Sequence, residues 1–182
     1  CHIDRVGVTV AAAANSGLLP SAVEIWRAEP GAPVEIGVLL EGTGLGVDAR
    51  AEAMAGLLGD GVRRSEWKKS GSGTGVRVSF WVSALDAVLA AVDAAAGDAG
   101  VRPAVGGSAG AGVLDVWFDG DPGAFVAALR ARLAGKRGSV TVLTPWDGDV
   151  LGDIPGLALM RAVKNQFDPG HRLAPGRIAE GI

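Results

Sequence analysis

The chain has 182 residues, of which 48% are hydrophobic and 20% charged, and its formal net charge at pH 7 is −3. This length suggests one domain or two small ones, and the high hydrophobic and moderate charged fractions exclude intrinsic disorder. The slight excess of acidic residues also excludes the basic footprint of a typical nucleic-acid binder. Because glycine and alanine together make up a third of the chain, we expect a core of small side chains and closely packed backbone.

Cysteine and histidine are scarce, which limits the disulfides and metal sites that the chain can form. One cysteine, Cys1, excludes an internal disulfide framework, and two histidines, His2 and His171, leave little for a metal site. We therefore predict no metal site. The longest apolar runs, such as residues 6–14, are far shorter than the roughly 20 residues of a membrane-spanning helix. A start on cysteine without methionine predicts a processed fragment or a partial chain, and a lipoprotein cysteine is the alternative.

The first predicted elements are three strands. Residues 3–10 are rich in β-branched side chains and alternate in polarity, which predicts a strand leading into an alanine run. Residues 22–28 and 34–40 alternate on either side of a Pro-Gly turn at residues 29–33, which predicts a hairpin. One face of its first strand carries Val23, Ile25 and Arg27.

The next stretch is predicted to alternate between glycine-rich connections and regular elements. Residues 42–46 form a flexible connection to a helix over residues 47–58, which ends at Gly59. Residues 61–75 are polar and glycine-rich and predict a loop. Residues 76–82 alternate in polarity and predict a strand.

A second helix is expected to begin at Ser83, with Asp86 three residues later as its acidic capping partner, and to end at Gly97. Its apolar stripe consists of Leu85, Val88, Leu89 and Val92. Two strands are then predicted, over residues 101–105 and 112–118.

A third helix should follow Asp121 as its N-cap, with Pro122 at the first helical position, and stop at Gly135. Its inner face consists of Phe125, Val126, Leu129 and Leu133. Residues 139–143 predict one more strand, and residues 155–167 predict the last helix. One side of that helix carries Leu157, Met160, Val163 and Phe167.

The resulting order, ββ-α-β-α-ββ-α-β-α, predicts an α+β, ferredoxin-like fold. In such a fold a mainly antiparallel sheet carries helices packed on one face. We predict a single domain over residues 1–182, with residues 165–182 as a C-terminal tail. Two ββα units that begin near residues 22 and 102 leave a distant duplication open.

Two features could bind an ion, and each has a simpler structural interpretation. Residues 42–46 lie between a strand and a helix, where a phosphate could bind, but their spacing is not G-x-G-x-x-G and favours a plain connection. Asp147, Asp149 and Asp153 could hold a cation, but they lack the remaining ligands of a calcium loop and favour a solvated turn.

A basic cluster and the five tryptophans are the other candidates. Trp67 lies in a polar loop among the cationic residues Arg63, Arg64, Lys68 and Lys69. This cluster could attract an anionic group, and a solvated charge run is the alternative. Trp26, Trp81 and Trp117 fall within strand patterns and are interpreted as packing residues. No Gly-x-Ser-x-Gly motif surrounds any serine, and no catalytic base emerges.

The C-terminal residues carry the most distinctive pattern. A predicted helix ends in Phe-Asp-Pro at residues 167–169, and Pro-Gly-Arg follows at residues 175–177. Together with residues 159–164 and 180–182, this pattern resembles the C-terminal (cap) domain of FAD-linked oxidases of the vanillyl-alcohol oxidase type. Within that type it is most similar to the FAD-binding E subunit of bacterial glycolate oxidase. Upstream segments that also fit are residues 19–24, 40–43 and 112–114.

The resemblance implies a flavin-dependent oxidoreductase whose FAD is bound mainly by a separate N-terminal domain absent from this chain. The present domain would cover the flavin ring, and its tail would return to the FAD domain and lie near the flavin. The implied cofactor-binding residues are Ala174, Pro175, Gly176 and Arg177. The cationic candidates for a substrate carboxylate are Arg172, Arg63, Arg64 and Lys68.

This sequence departs from the family pattern at two points. The asparagine that usually precedes Pro-Gly is Ala174 here, so a side-chain hydrogen bond is lost. The glycine loops that bind the pyrophosphate in the FAD half have no counterpart. We therefore expect the isolated chain to be inactive and to depend on another domain or subunit for its flavin.

The expected activity is the oxidation of a small 2-hydroxy acid such as glycolate, by hydride transfer to FAD. Expected partners are an FAD-binding domain or subunit, further oxidase subunits and the substrate. The expected location is the cytoplasm or, through partner subunits, the inner face of the membrane. Two alternatives stay open: a non-catalytic scaffold of an oxidase complex, and a small-molecule sensor of similar architecture.

Overall fold

The computed structural model describes residues 5–59, 71–135 and 138–175. They fall into two compact units, Cys1–Pro145 and Trp146–Ile182. The elements of the first unit are α1 (Val6–Ala14), β1 (Ala22–Arg27), β2 (Glu35–Leu39), α2 (Gly44–Leu58), β3 (Thr74–Ser79), α3 (Leu85–Ala99), β4 (Ala104–Gly107), β5 (Val113–Phe118), α4 (Gly123–Leu133) and β6 (Ser139–Val142). The second unit contains α5 (Leu157–Phe167).

The six strands form one antiparallel sheet in the order β2-β1-β4-β5-β3-β6. Four of these strands and two helices have the connectivity of a ferredoxin-like fold, in the order β3-α3-β4-β5-α4-β6. Helix α3 connects β3 to β4 across the intervening β5, and α4 connects β5 to β6 across the intervening β3. The predicted hairpin is β1–β2, and it extends the sheet beside β4. The predicted α+β class with a mainly antiparallel sheet is confirmed.

The core of the first unit lies between one face of the sheet and the helices. Along each strand the side chains alternate between the two faces of the sheet, and those on one face point into the core. Helices α3 and α4 pack against each other and against this face. The predicted apolar stripes of both helices are buried, which confirms them. Burying side chains of this kind contributes about 1.5–3 kcal/mol each. Buried strand residues on this face include Val23, Ile25, Val76, Val78, Leu114 and Val116.

The N-terminal element is a helix, so the strand predicted over residues 3–10 is wrong for the residues that the structure describes. Val6, Val10 and Ala13 are each fully buried, and their spacing places them on one face of a helix. Packing of that face outweighs the preference of valine for strands. Asp86 Oδ1 accepts a hydrogen bond of 2.8 Å from the Gly7 N–H in the first turn of α1.

The boundaries of α3 differ from the prediction at both ends. A short 3-10 turn, Val82–Ala84, precedes the helix, and Ser83 does not cap it, because Ala84 is the N-cap and no side chain bonds there. Asp86 instead accepts a hydrogen bond from the first turn of α1. The helix also continues past Gly97 and ends at Ala99. Its C-cap is Gly100, whose φ of 66° is the left-handed conformation that glycine adopts easily.

The other helices begin close to the predicted positions. α2 starts at Gly44, so part of the predicted flexible connection is helical. α4 begins at Gly123 with Pro122 as its N-cap, one residue later than predicted, and Asp121 Oδ1 accepts a hydrogen bond of 2.8 Å from the Gly123 N–H. No helix in the described part of the chain combines the length and apolar character needed to span a membrane.

Candidate functional site

The second unit is organised by α5 and the turn that follows it. The predicted helix is confirmed from Leu157 onward, and the two residues before it form a turn. Asp168 ends the helix, and its N–H donates to the Lys164 carbonyl at 2.7 Å. Pro169 comes next, and it cannot continue the helical hydrogen bonding because it has no N–H. The chain therefore turns at the predicted Asp-Pro pair.

The carboxylate of Asp168 closes this turn. Asp168 is only 8% exposed. Its Oδ1 accepts the Arg172 N–H and its Oδ2 accepts the Leu173 N–H, each at 2.9 Å. Lys164 Nζ lies 2.6 Å from Oδ2 and also donates to the Leu173 carbonyl. We call the contacts among Lys164, Asp168, Arg172 and Leu173 the Asp168 clasp.

The clasp stabilises the charged form of its own carboxyl group. The Lys164 ammonium, followed by the backbone N–H groups of Arg172 and Leu173, holds the pKa of Asp168 far below its ordinary value. Hydrogen bonds donated to a carboxylate favour ionisation in this way. Asp168 is therefore an anion at neutral and mildly acidic pH, and the turn is held by charge-assisted bonds.

The predicted cofactor-binding residues begin just beyond the clasp. Ala174 has a φ of 45°, in the left-handed region that non-glycine residues rarely adopt. Asparagine tolerates this region better than alanine. An asparagine, which the family pattern has at this position, would therefore fit this backbone conformation better than Ala174 does. Pro175 follows as the last described residue of the tail, and Gly176 and Arg177 lie outside the described residues.

Arg172 is the one predicted substrate-binding residue that the structure describes. Its side chain is exposed, while its backbone N–H is held by Asp168. Among residues 5–59, 71–135 and 138–175, nothing forms a hydrogen bond or ion pair with its guanidinium group. The other three candidates, Arg63, Arg64 and Lys68, lie outside the described residues.

A second surface lies on the sheet face opposite the helices of the first unit. Trp26 of β1 and Trp117 of β5 meet there, with ring centroids 6.0 Å apart and planes inclined by 37°. A Cβ on Gly106 would come within 2.5 Å of Trp26, and a Cβ on Gly71 within 2.8 Å of Trp117. Glycine at these positions therefore lets both rings lie close against the backbone. Both rings stay partly exposed.

An ion pair borders the two rings on the same face. Arg77 of β3 stands opposite Asp115 of β5 in the ladder, and Nε and Nη2 donate to the two carboxylate oxygens at 2.7 and 2.8 Å. This bonding raises the pKa of Arg77 above its ordinary value. We call Trp26, Arg77, Asp115 and Trp117 the aromatic face. The sequence places each of them on a strand, but only the strand order brings them together.

The acidic loop at residues 147–153 does not gather ligands for a cation. Asp149 Oδ1 accepts a hydrogen bond of 2.8 Å from the Gly152 N–H, as in an ordinary turn. Across the described ranges, no group of three or more His, Cys, Asp or Glu side chains is placed to hold a metal ion.

Comparison with known proteins gives one family match. Residues 152–178 match the family of FAD linked oxidases, C-terminal domain. The matched stretch contains α5, the whole Asp168 clasp, Ala174 and Pro175. This short stretch is thus similar to the C-terminal domain of an enzyme family that uses FAD. No curated protein and no solved structure matches the chain.

Proposed function

We propose that this chain is the C-terminal domain of an FAD-dependent oxidoreductase that oxidises a small 2-hydroxy acid such as glycolate. FAD is bound mainly by a domain or subunit outside this chain. The main support is the family match over residues 152–178. It coincides with a closed turn that carries an exposed arginine, Arg172.

When bound, FAD would accept a hydride from the carbon that bears the hydroxyl group, and loss of the hydroxyl proton would then give a 2-oxo acid. The guanidinium groups of Arg27, Arg77 and Arg102 are already engaged by carboxylates of this chain. We therefore assign the diphosphate of FAD to the partner domain.

We assign the substrate carboxylate to Arg172. A guanidinium group can donate two parallel hydrogen bonds to a carboxylate, which fixes its orientation as well as binding it. Ala174 and Pro175, with Gly176 and Arg177 after them, are assigned to the approach to the flavin. Arg63, Arg64 and Lys68 remain further candidates for the substrate anion.

An exposed apolar stripe on α5 is assigned to the contact with the FAD-binding domain. Phe167 is 81% exposed, and the helical spacing aligns the stripe along one side of the helix. Adjoining exposed apolar side chains are typical of interaction sites. The FAD-binding domain is the chosen partner because the stripe lies within the family-matched residues. Its members are Leu159, Met160, Val163 and Phe167.

The test is anaerobic reduction of the flavin in the natural assembly. The protein is purified as its gene encodes it, with the subunits that accompany it, and glycolate is added while the flavin absorption is recorded. We expect the flavin band to bleach with glycolate and to persist with ethylene glycol, which lacks the carboxylate. A purified assembly without flavin would overturn the proposal and favour the scaffold. A flavin that no 2-hydroxy acid bleaches would overturn the substrate class.

A matched pair of variants tests the assignment of Arg172. Arg172→Ala should raise the KM for glycolate at least about tenfold, because a charge-assisted hydrogen bond to an ion contributes about 1.5–3 kcal/mol. Arg102→Ala is the control, since Arg102 is an exposed arginine paired with Glu29. An equal effect of both variants would contradict a specific role for Arg172.

A further inference from the structure

The clasp holds the backbone of Arg172 and leaves its side chain exposed. Asp168 accepts hydrogen bonds from the N–H groups of Arg172 and Leu173, at 2.9 Å each. The Arg172 guanidinium has no partner among the described residues, although a carboxylate lies so close to its backbone. The negative charge of Asp168 is instead shared by the two N–H groups and the Lys164 ammonium.

The turn is also fixed from its other side. Lys164 Nζ reaches both the Asp168 carboxylate and the Leu173 carbonyl, so Leu173 is held at its N–H and its C=O. The His171 N–H donates to the Asp168 carbonyl at 2.9 Å. His171 has a φ of 48°, and a conformation this rare persists where its surroundings impose it. Helix α5 thereby fixes the path of the chain through residues 168–173.

We propose that Asp168 is a positioning residue for the arginine that binds substrate. Through the two backbone N–H groups, it fixes the point from which the Arg172 side chain extends and from which the tail departs towards Pro175. This inference rests on the proposed function, because that function supplies the carboxylate that Arg172 binds. Asp168 itself touches neither substrate nor flavin, and Lys164 keeps it ionised and in place.

Kinetics of the natural assembly separate positioning from mere stabilisation. Asp168→Asn keeps the shape, but its amide can accept only one of the two N–H groups. We expect the KM for glycolate to rise about tenfold, with kcat changed less than about threefold and flavin content unchanged. Asp98→Asn is the control, because Asp98 is an exposed carboxylate paired with Arg132 on the first unit. An unchanged KM in Asp168→Asn would overturn the proposal.

A double variant tests whether the two residues act together. If Asp168 acts through Arg172, Asp168→Asn combined with Arg172→Ala should be no worse than Arg172→Ala alone. Independent, multiplying effects on the KM would show that Asp168 acts elsewhere and would overturn the proposal.

Amide hydrogen exchange in the full chain gives a readout that needs no activity. We expect the Arg172 and Leu173 amides to be protected in the wild type, exposed in Asp168→Asn, and protected in Asp98→Asn. Unprotected amides in the wild type would overturn the clasp itself. If the wild-type assembly oxidises no 2-hydroxy acid while these amides are protected, the proposed function fails and the placement of Arg172 by Asp168 stands.

Discussion

Arg27 of β1 and Asp93 of α3 form an ion pair that joins the sheet to a helix from within the first unit. The Arg27 side chain is 1% exposed and that of Asp93 is 31% exposed. Arg27 Nη1 donates to Asp93 Oδ2 at 2.8 Å, and Nη2 donates to Oδ1. Because the Arg27 side chain is almost completely buried, the carboxylate of Asp93 is needed to stabilise its positive charge.

Asp93→Ala should therefore destabilise the first unit strongly. Removing Asp93 leaves the buried charge of Arg27 uncompensated. For a fully buried pair this costs about 3–5 kcal/mol in the free energy of unfolding, and the partial exposure of Asp93 puts the expected loss at the lower end of this range. Arg27→Met should cost less, because it removes the buried charge and keeps an apolar side chain in its place. Urea unfolding measures both, with Asp98→Ala as the exposed control, expected to cost less than about 1 kcal/mol. Equal losses for the Asp93 and Asp98 variants would contradict this account.

The Arg27–Asp93 pair shows which features sequence patterns can predict and which they cannot. Alternation along β1 predicted that Arg27 shares a face with Val23 and Ile25, and the structure confirms it. Asp93 carried no such signal, because it is distant in sequence and reaches Arg27 only through the packing of α3. At the N-terminus the β-branched, alternating residues wrongly predicted a strand, because these valines pack as one face of the helix α1.

Two glycine substitutions should act in opposite directions. Gly106→Ala would place a Cβ 2.5 Å from the Trp26 ring, so we expect a loss of about 1–3 kcal/mol in unfolding free energy from the forced shift. Gly97 lies in α3 with no atom near its missing Cβ, so Gly97→Ala should add roughly 0.5–1 kcal/mol. Thermal unfolding and tryptophan fluorescence measure both effects. A neutral Gly106→Ala would show that Trp26 does not rest on the backbone there.

Phe167→Ser should weaken the proposed contact with an FAD-binding partner and leave the folded chain intact. The side chain is 81% exposed, so its replacement should change stability by no more than about 0.5 kcal/mol. Titration of the variant chain with the partner domain measures the loss of affinity. Leu45→Ser is the matched control, because Leu45 is 89% exposed on α2 and outside the family match. Equal binding by both variants would exclude the α5 stripe from the interface.

The clasp should be insensitive to pH from neutral down to mildly acidic conditions. The folded pKa of Asp168 is depressed, chiefly by the Lys164 ammonium. A depressed carboxyl pKa contributes stability that is fully present above the unfolded value, about 3.9, and is lost as the pH falls through the folded value. Exchange protection of Arg172 and Leu173, corrected for the intrinsic rate, should thus be equal at pH 7 and pH 5. Loss of protection between these values would contradict the lowered pKa.

The candidate site was predicted from sequence only in its outline. Phe-Asp-Pro and Pro-Gly-Arg identified the family signature, and the match over residues 152–178 agrees with it. The residue spacing could not reveal that the Asp168 carboxylate folds back onto two N–H groups, since such bonds depend on the path of the turn. Nor could it bring Trp26 and Trp117 together, because that contact requires the strand order β1-β4-β5.

Ala174→Asn should stabilise the departure of the tail from the clasp. Ala174 has a φ of 45°, a conformation that costs an ordinary L-residue about 1–2 kcal/mol and that asparagine and glycine visit more readily. We expect exchange of the Leu173 amide to slow about fivefold, the factor that corresponds to about 1 kcal/mol. Ala174→Val should accelerate it, because a β-branched residue is least compatible with positive φ.

The glycine variant at the same position separates the effect of the backbone conformation from that of an asparagine side chain. If the backbone conformation alone matters, Ala174→Gly should protect the Leu173 amide about as well as Ala174→Asn. If only Ala174→Asn adds protection, the asparagine side chain supplies a hydrogen bond that this chain has lost. No change in either variant would contradict a strained backbone at Ala174.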